Sequence, residues 1–231
     1  MESYPFAVIP GRGELSDHRD FGIPAIAKRL AENDWDVELL YTTLGSTYSN
    51  LDSVQVDPMS DEVYIAVYSP FGDPQYGSDP MLLLGHYDGS WQVDPLQIAD
   101  VAGHQSITLL PSGDVAMTYL SSDEYRLGYA EINNGTVSLL CLSDSTYSGF
   151  HSSIGIKQDG TPTVFSVGTQ RGQLLQNTLI NGEFNERNIF FALSDVSALD
   201  RNTVSIAKLD GNFEIGWVQP DFQLGMARAG M

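Results

Sequence analysis

Hydrophobic and polar residues alternate along most of the chain in short runs. Alternation with a period of two places successive side chains on opposite faces of an extended backbone, so the pattern predicts β-strands. Residues 24–33 are also compatible with about two helical turns, but a strand with a turn fits their register better. The chain is therefore predicted to be all-β.

The predicted strands recur in a fixed order, which indicates an internal repeat. Three segments align closely: residues 104–119, 151–165 and 203–217. Two looser matches lie closer to the N-terminus. Each segment has an alternating strand, a turn containing Gly or Asp, and a second alternating strand, which together predict a β-hairpin. Equivalent positions lie roughly 50 residues apart, and Ile107 and Ile154 are separated by 47.

A second hairpin is predicted between successive repeats. Its two-residue turns are Asp88-Gly89, Asn134-Gly135 and Asn181-Gly182. Apolar strands are predicted before these turns at residues 81–84, 127–132 and 174–180. Further strands are predicted after them at residues 91–98, 137–142 and 189–193. Four antiparallel strands in about 50 residues is the period of a β-propeller blade.

The repeats predict one β-propeller domain over residues 1–231, with five small blades of up to four antiparallel strands. Its inner hairpins are expected near residues 22–42, 51–68, 104–120, 151–167 and 203–218. The first blade is predicted to be reduced, since residues 41–51 leave no room for an outer hairpin. The last repeat stops before its fourth strand, and residues 4–9 are predicted to supply that strand and close the last blade. An incomplete propeller that closes by oligomerising is the alternative.

The amino-acid sequence of the repeats resembles that of the broad sialidase-like or BNR-like β-propeller family. Residues 151–164 read His-Ser-x-Ile-x-x-x-x-Asp-Gly-x-Pro-x-Val, and the resemblance extends over residues 50–228. It implies the propeller architecture only. The family's Asp-box is absent, and no two arginines occupy equivalent repeat positions as a sialidase arginine triad would require.

The charge distribution narrows the classes of partner. The net charge is −19, and no Lys or Arg occurs between Arg29 and Arg126, a window that contains sixteen acidic residues. A nucleic-acid backbone and an anionic membrane surface both require clustered cations, so neither is expected as a partner. A cationic or cation-bridged protein partner, or a glycan, is compatible with this charge.

Other sequence features bear on compartment and cofactors. The single cysteine, Cys141, excludes an intramolecular disulfide framework, and its apolar neighbours predict a core position. No signal peptide is apparent and no apolar run approaches about 18 residues, so synthesis in the cytosol is expected. No cofactor is predicted, although the acidic, glycine-rich loop at residues 71–80 leaves Ca2+ open.

The candidate functional residues fall into two groups. His104 and His151 occupy equivalent positions at the entrance of successive inner strands, so they are predicted to lie on one face near the propeller axis. His18 and Asp20 are predicted to join them as axial ligand-binding candidates. Loop tyrosines flanked by Ser, Asn and Gly suit adaptable contacts with protein or glycan. These surface contact candidates are Tyr48, Tyr76 and Tyr147.

The sequence supports two hypotheses about function. The preferred one is a non-catalytic interaction or assembly module that binds a protein surface or a glycan, because no catalytic or metal-ligating constellation is evident. Its size, acidity and lack of a signal favour a virion-associated protein, such as a phage capsid decoration or fibre-head protein, within a homo-oligomer or larger assembly. The alternative is a carbohydrate-active enzyme, a glycosidase or polysaccharide lyase, with its site at the axis.

Overall fold

The structure is a computed structural model built from β-strands and turns. It describes residues 6–9, 25–31, 34–39, 50–57, 59–60, 62–70, 77, 79–88, 90–168, 173–191, 204–209, 212–218 and 224–229. The strands within those ranges form five antiparallel sheets, so the predicted all-β class is confirmed. The chain divides into two compact units, Met1–Leu96 and Gln97–Met231. Within the described ranges, no helix has the length and apolarity needed to cross a lipid bilayer.

The first unit contains one three-stranded and one four-stranded sheet. The three-stranded sheet consists of β1 (Phe6–Ile9), β2 (Ala25–Ala31) and β3 (Asp34–Leu39). The four-stranded sheet consists of β4 (Asn50–Val56), β5 (Val63–Ser69), β6 (Met81–Tyr87) and β7 (Trp91–Pro95). One face of the second sheet buries Ile65, Val67 and Leu83, against which Val54 and Trp91 pack. Ala66 and Leu82 on the same two strands are also fully buried, so β5 and β6 are covered on both faces.

The second unit contains three sheets, each antiparallel with its strands in sequence order. The first consists of β8 (Val101–Leu109), β9 (Val115–Ser121), β10 (Leu127–Asn133) and β11 (Thr136–Leu142). The second consists of β12 (Phe150–Ile156), β13 (Pro162–Gly168), β14 (Gln173–Ile180) and β15 (Glu183–Phe191). The third consists of β16 (Val204–Leu209), β17 (Asn212–Val218) and β18 (Leu224–Ala229). Strand β12 packs against both β8 and β16, so the first strands of the three sheets lie side by side.

The structure corrects the predicted role of the N-terminal strand. Residues 4–9 were expected to complete the last sheet, but β1 pairs with β2 inside the first sheet, with Phe6 opposite Lys28 and Ile9 opposite Ala25. The pairing with β2 closes a short loop, and a short loop costs less conformational entropy than pairing with the far end of the chain. In the described residues, the last sheet therefore ends at β18.

The 47-residue repeat is visible in the backbone of the second unit. Five pairs of residues separated by 47 share a positive φ: Asp100 and Tyr147, His104 and His151, Gly113 and Gly160, Asn134 and Asn181, and Gly135 and Gly182. The last two pairs are the predicted Asn-Gly turns, where both central residues adopt the left-handed conformation of a type I′ hairpin. The Asn-Gly residues therefore determine where the outer hairpins turn.

One strand boundary differs from its prediction. The strand after the Asn181-Gly182 turn was expected at residues 189–193, whereas β15 begins directly after the turn at Glu183. Its first half is polar, and Glu183, Asn185, Glu186 and Arg187 are exposed. An outermost strand is held by ladder hydrogen bonds and needs little buried apolar surface, so an apolar pattern does not reveal it.

A core cluster of the second unit lies between its first two sheets. Side chains from β9, β10, β12, β13 and β14 meet there: Ala116, Leu127, Tyr129, Ile154, Val164 and Leu179. Cys141 on β11 packs against this cluster but is only half-buried, so it borders the core that was expected to enclose it. Burial, followed by the nearby charge of Glu131, raises the pKa of the Cys141 thiol to about 12.

Cys141 is expected to resist alkylation in the folded chain. A thiol reacts as its thiolate, so a pKa near 12 predicts reaction with iodoacetamide at pH 8 on the order of a thousandfold more slowly than a model thiol. Because this is the single cysteine of the chain, mass spectrometry of the labelled protein follows one site. The urea-unfolded chain is the control and should react at the ordinary rate. Rapid labelling of the folded chain would contradict the packing of Cys141.

Candidate functional site

Two histidines come together at one edge of the second unit. His104 lies near the start of β8 and His151 near the start of β12, and their ring centroids are 4.7 Å apart with planes inclined at 64°. This edge-to-face geometry is a favourable arrangement for aromatic rings. The sequence predicted that the two residues share a face; their direct ring contact is a finding of the structure.

A β-bulge in each strand turns these side chains to their positions. The register of β8 shifts between Gly103 and Ser106, and the register of β12 shifts between Phe150 and Ser153. His104 and His151 adopt φ values of 52° and 48° inside these bulges. A positive φ is uncommon for a residue with a side chain and is maintained where the surrounding structure requires it. Bulges of this kind often re-aim a side chain next to a functional site.

Buried hydroxyl groups tie the two bulges together. Thr118 Oγ1 and Ser152 Oγ lie 2.9 Å apart, and both side chains are buried. Ser152 Oγ is also 3.4 Å from the carbonyl oxygen of His104, and the backbone N–H of Ile154 donates to Ser106 Oγ over 3.4 Å. These contacts join β12 to β8 and β9, so the backbone that carries both imidazoles is fixed before any ligand binds.

The histidine pair can hydrogen-bond a neutral polar ligand and contact its apolar surface. Both rings are half-buried, so each is partly accessible from solvent. A neutral imidazole has one donor and one acceptor nitrogen, and its ring adds an aromatic face. A saccharide offers the matching groups, since its hydroxyls both donate and accept while its C–H face packs on aromatic rings.

Four of the other predicted site residues lie outside the described residues. These are His18, Asp20, Tyr48 and Tyr76. Tyr147 is described: it lies in the β11–β12 connection, is 38% exposed and pairs with Tyr125 at a centroid distance of 5.4 Å. Sequence reasoning missed Tyr125, whose signal was its place in the polar, strand-free segment Ser122 to Arg126.

A separate polar cluster lies on the first unit. His86 on β6 stacks on Tyr64 of β5 at 4.7 Å and 14°, and its Nε2 lies 3.4 Å from Glu62 Oε2. The Tyr64 hydroxyl donates to the same carboxylate oxygen over 2.9 Å. Burial, then the hydrogen bond and charge of Glu62, raises the pKa of Tyr64 to about 12. His86 therefore belongs to a group of side chains that contact one another on this sheet.

The described residues contain no group of three or more His, Cys, Asp or Glu side chains arranged to hold a metal ion. The loop at residues 71–80, which left Ca2+ open, lies mostly outside the described ranges. The structure therefore does not test whether this loop binds Ca2+.

Comparison with known proteins defines the fold. No protein-family model matches the sequence, and no curated protein matches it. The chain is similar in structure to a GH43 β-1,3-galactosidase solved with galactodeoxynojirimycin, at a TM-score of 0.57, 11% identity, and coverage of 97% of this chain and 86% of that one. An exo-β-1,3-galactanase from Phanerochaete chrysosporium, solved with β-1,3-galactotriose, gives a TM-score of 0.58, 10% identity, and coverage of 99% and 57%.

A third similar structure is a mutant of AofleA from Arthrobotrys oligospora. It gives a TM-score of 0.62 and 12% identity, and the similarity covers 98% of this chain and 68% of that one. The chain spans a little over half the length of the galactanases to which it is similar, 57% of the one from P. chrysosporium and of one from Clostridium thermocellum. At such low identity, the similarity establishes the fold, and one fold carries many activities.

The chain has the β-propeller fold, as the sequence predicted, since GH43 glycosidases are five-bladed β-propellers. These neighbours support the propeller architecture but not the sialidase-like or BNR-like family in particular. They give no support to a virion, capsid or tail-fibre role.

Proposed function

We propose that this chain is a carbohydrate-active β-propeller that binds a neutral saccharide at the His104–His151 pair. The observation that carries the proposal is the edge-to-face contact of these two imidazoles at 4.7 Å on adjoining strands. Their positive φ values and the hydroxyl groups behind them support a preorganised site. Preorganisation favours binding, because little conformational freedom is lost when the ligand arrives.

Galactose-containing oligosaccharides are the first ligands to test. The similar structures named above were solved with galactodeoxynojirimycin and with β-1,3-galactotriose. The net charge of −19 disfavours an anionic glycan, so a neutral one fits better. Glycoside hydrolysis is the reaction that these neighbours favour, and it requires two carboxyl groups on either side of the scissile bond. The strands β8, β9, β12 and β13 contain no Asp or Glu, so such carboxylates would come from other segments.

Isothermal titration calorimetry with galactose, β-1,3-galactobiose and β-1,3-galactotriose tests the proposal. Replacing both histidines by asparagine removes the rings while keeping a residue that accepts a positive φ. We expect at least a tenfold loss of affinity, equivalent to about 1.4 kcal/mol. His86→Ala is the control, because the ring of that histidine contacts Tyr64 and Glu62 on its own sheet, and its variant should bind like the wild type.

Two further measurements make the test decisive. In the wild type, NMR signals of the imidazole C–H protons of His104 and His151 should shift when β-1,3-galactotriose is added, and this readout needs no variant to fold. Release of reducing sugar from the trisaccharide separates an enzyme from a binding protein. Unchanged affinity in the double variant, or the lack of any saccharide binding by the wild type, would refute the proposal.

A further inference from the structure

Two tyrosines form an exposed aromatic surface on the second unit. Tyr125 and Tyr147 are 43% and 38% exposed, and their ring centroids lie 5.4 Å apart with planes inclined at 35°. Tyr125 belongs to the β9–β10 connection and Tyr147 to the β11–β12 connection. Large aromatic side chains that share exposed surface in this way commonly mark a site of interaction.

The two connections are held rigidly against each other. The backbone N–H of Tyr147 donates to the carbonyl of Glu124 over 2.9 Å, and the N–H of Gly149 donates to the carbonyl of Tyr125 over 3.2 Å. Ser148 accepts a hydrogen bond from the backbone N–H of Leu127 through its hydroxyl. Both tyrosines adopt a positive φ, 54° and 55°, which is unfavourable for bulky residues. These contacts maintain a strained backbone that presents the two rings together.

The charges around the two rings select against an anion. Asp123, Glu124 and Asp144 are exposed on the same two connections. Arg126 is the one cation within them, and its guanidinium pairs with Asp123. A ligand that bears carboxylate or sulfate groups would be repelled there, whereas a neutral pyranose can pack its C–H face on the rings and hydrogen-bond the surrounding polar groups.

The tyrosines lie at the same edge of the sheets as the histidine pair. Val101 at the start of β8 is opposite Ser121 at the end of β9, and Leu120 is opposite Leu127 at the start of β10. The β9–β10 and β11–β12 connections therefore project from the edge at which β8 and β12 begin. Tyr147 also precedes His151 by four residues in the chain.

We propose that Tyr125 and Tyr147 form a stacking subsite for a ring of a neutral oligosaccharide whose other end lies at the His104–His151 pair. This inference rests on the proposed function. It predicts that affinity grows with the length of the saccharide, because only a longer ligand reaches both places. Stacking on aromatic rings tolerates different neutral sugars, so the subsite adds affinity more than selectivity.

Calorimetry with galactose and β-1,3-galactotriose on paired variants tests the subsite. Replacing both tyrosines by alanine should weaken binding of the trisaccharide about tenfold, equivalent to about 1.4 kcal/mol. The affinity for galactose should stay within about twofold of the wild-type value. Replacing both by phenylalanine keeps the rings and should restore most of the affinity. Leu140 is an exposed apolar residue on β11, and Leu140→Ala is the control. This variant should leave the affinity for both saccharides unchanged. A galacturonate trimer should bind the wild type at least about tenfold more weakly than the neutral trimer.

The outcomes separate this inference from the proposed function. Loss of trisaccharide binding in the histidine variant, with unchanged binding in the tyrosine-to-alanine variant, would overturn the subsite alone. An equal loss of affinity for galactose and for galactotriose would also overturn it, because the tyrosines would then not contribute specifically to binding of the longer ligand. Tyrosine-dependent binding of a lysine-rich peptide without tyrosine-dependent binding of galactotriose would assign the surface to a cationic protein instead. If the wild type binds no saccharide, both proposals fail.

Discussion

Replacing Phe165 with alanine is expected to lower the free energy of unfolding by about 3–5 kcal/mol. Phe165 lies on β13 with none of its surface exposed, and its ring meets that of Phe213 on β17 edge-to-face at 5.6 Å. Phe213 is itself 1% exposed, so the two rings join the second and third sheets of the second unit. The variant loses the transfer free energy of the ring and leaves a cavity between packed sheets that relax only partly.

Urea unfolding followed by far-UV circular dichroism measures this loss. Phe165→Leu keeps most of the buried volume and should cost less than the alanine variant. Ile180→Ala is the matched surface control: Ile180 ends β14 and is 48% exposed, so its loss should stay within about 0.5 kcal/mol. A loss below about 1 kcal/mol in Phe165→Ala would show that the ring does not support the contact between these sheets.

Adding a single methyl group at Gly128 is expected to destabilise the chain by about 3 kcal/mol. Gly128 on β10 is opposite Tyr119 on β9, and the aromatic ring lies over the glycine. A Cβ at this position would come within 2.2 Å of a ring carbon, closer than any van der Waals contact allows. Tyr119 is 1% exposed, so its ring has no free space into which to move.

A double-mutant cycle isolates this steric effect. Tyr119→Leu removes the ring and is costly by itself, but Gly128→Ala in that background should cost much less than in the wild type. The expected coupling energy exceeds about 1 kcal/mol, as is usual for residues in direct contact. Additive effects of the two substitutions, or a Gly128→Ala variant as stable as the wild type, would contradict the close approach of the ring to the backbone.

Much of the fold follows from local sequence. Alternating strands and Asn-Gly turns are short-range signals, and the structure has hairpins where they predicted them, including those at β8–β9 and β12–β13. Ser106 and Ser153, which are separated by 47 residues, have equivalent pairing: Ser106 is opposite Thr118, and Ser153 is opposite Phe165. The repeat was detectable because every copy needs the same buried face and the same turn. Whether residues 1–231 form one domain stays a prediction.

Other features could not be predicted in this way. The strand β1 reads Phe-Ala-Val-Ile, a short apolar run that indicates a strand but does not identify its partner, and the structure pairs it with β2. The first half of β15 is polar and carries no apolar signal. An outer strand is held by backbone hydrogen bonds to one neighbour, here β14, and needs little apolar burial. Tyr125 was missed, because its sequence neighbours indicate only a loop, whereas its contact with Tyr147 depends on a connection some twenty residues away.

The candidate site shows where local information ends. The repeat alone placed His104 and His151 at equivalent positions, because each copy begins its first strand in the same way. Their ring contact, their bulged backbones and the buried hydroxyls behind them arise only when β12 packs against β8. Alternation and turn chemistry act within a few residues and therefore specify strands and hairpins. Pairing between side chains from different sheets is decided by tertiary packing, which brings together residues far apart in the chain.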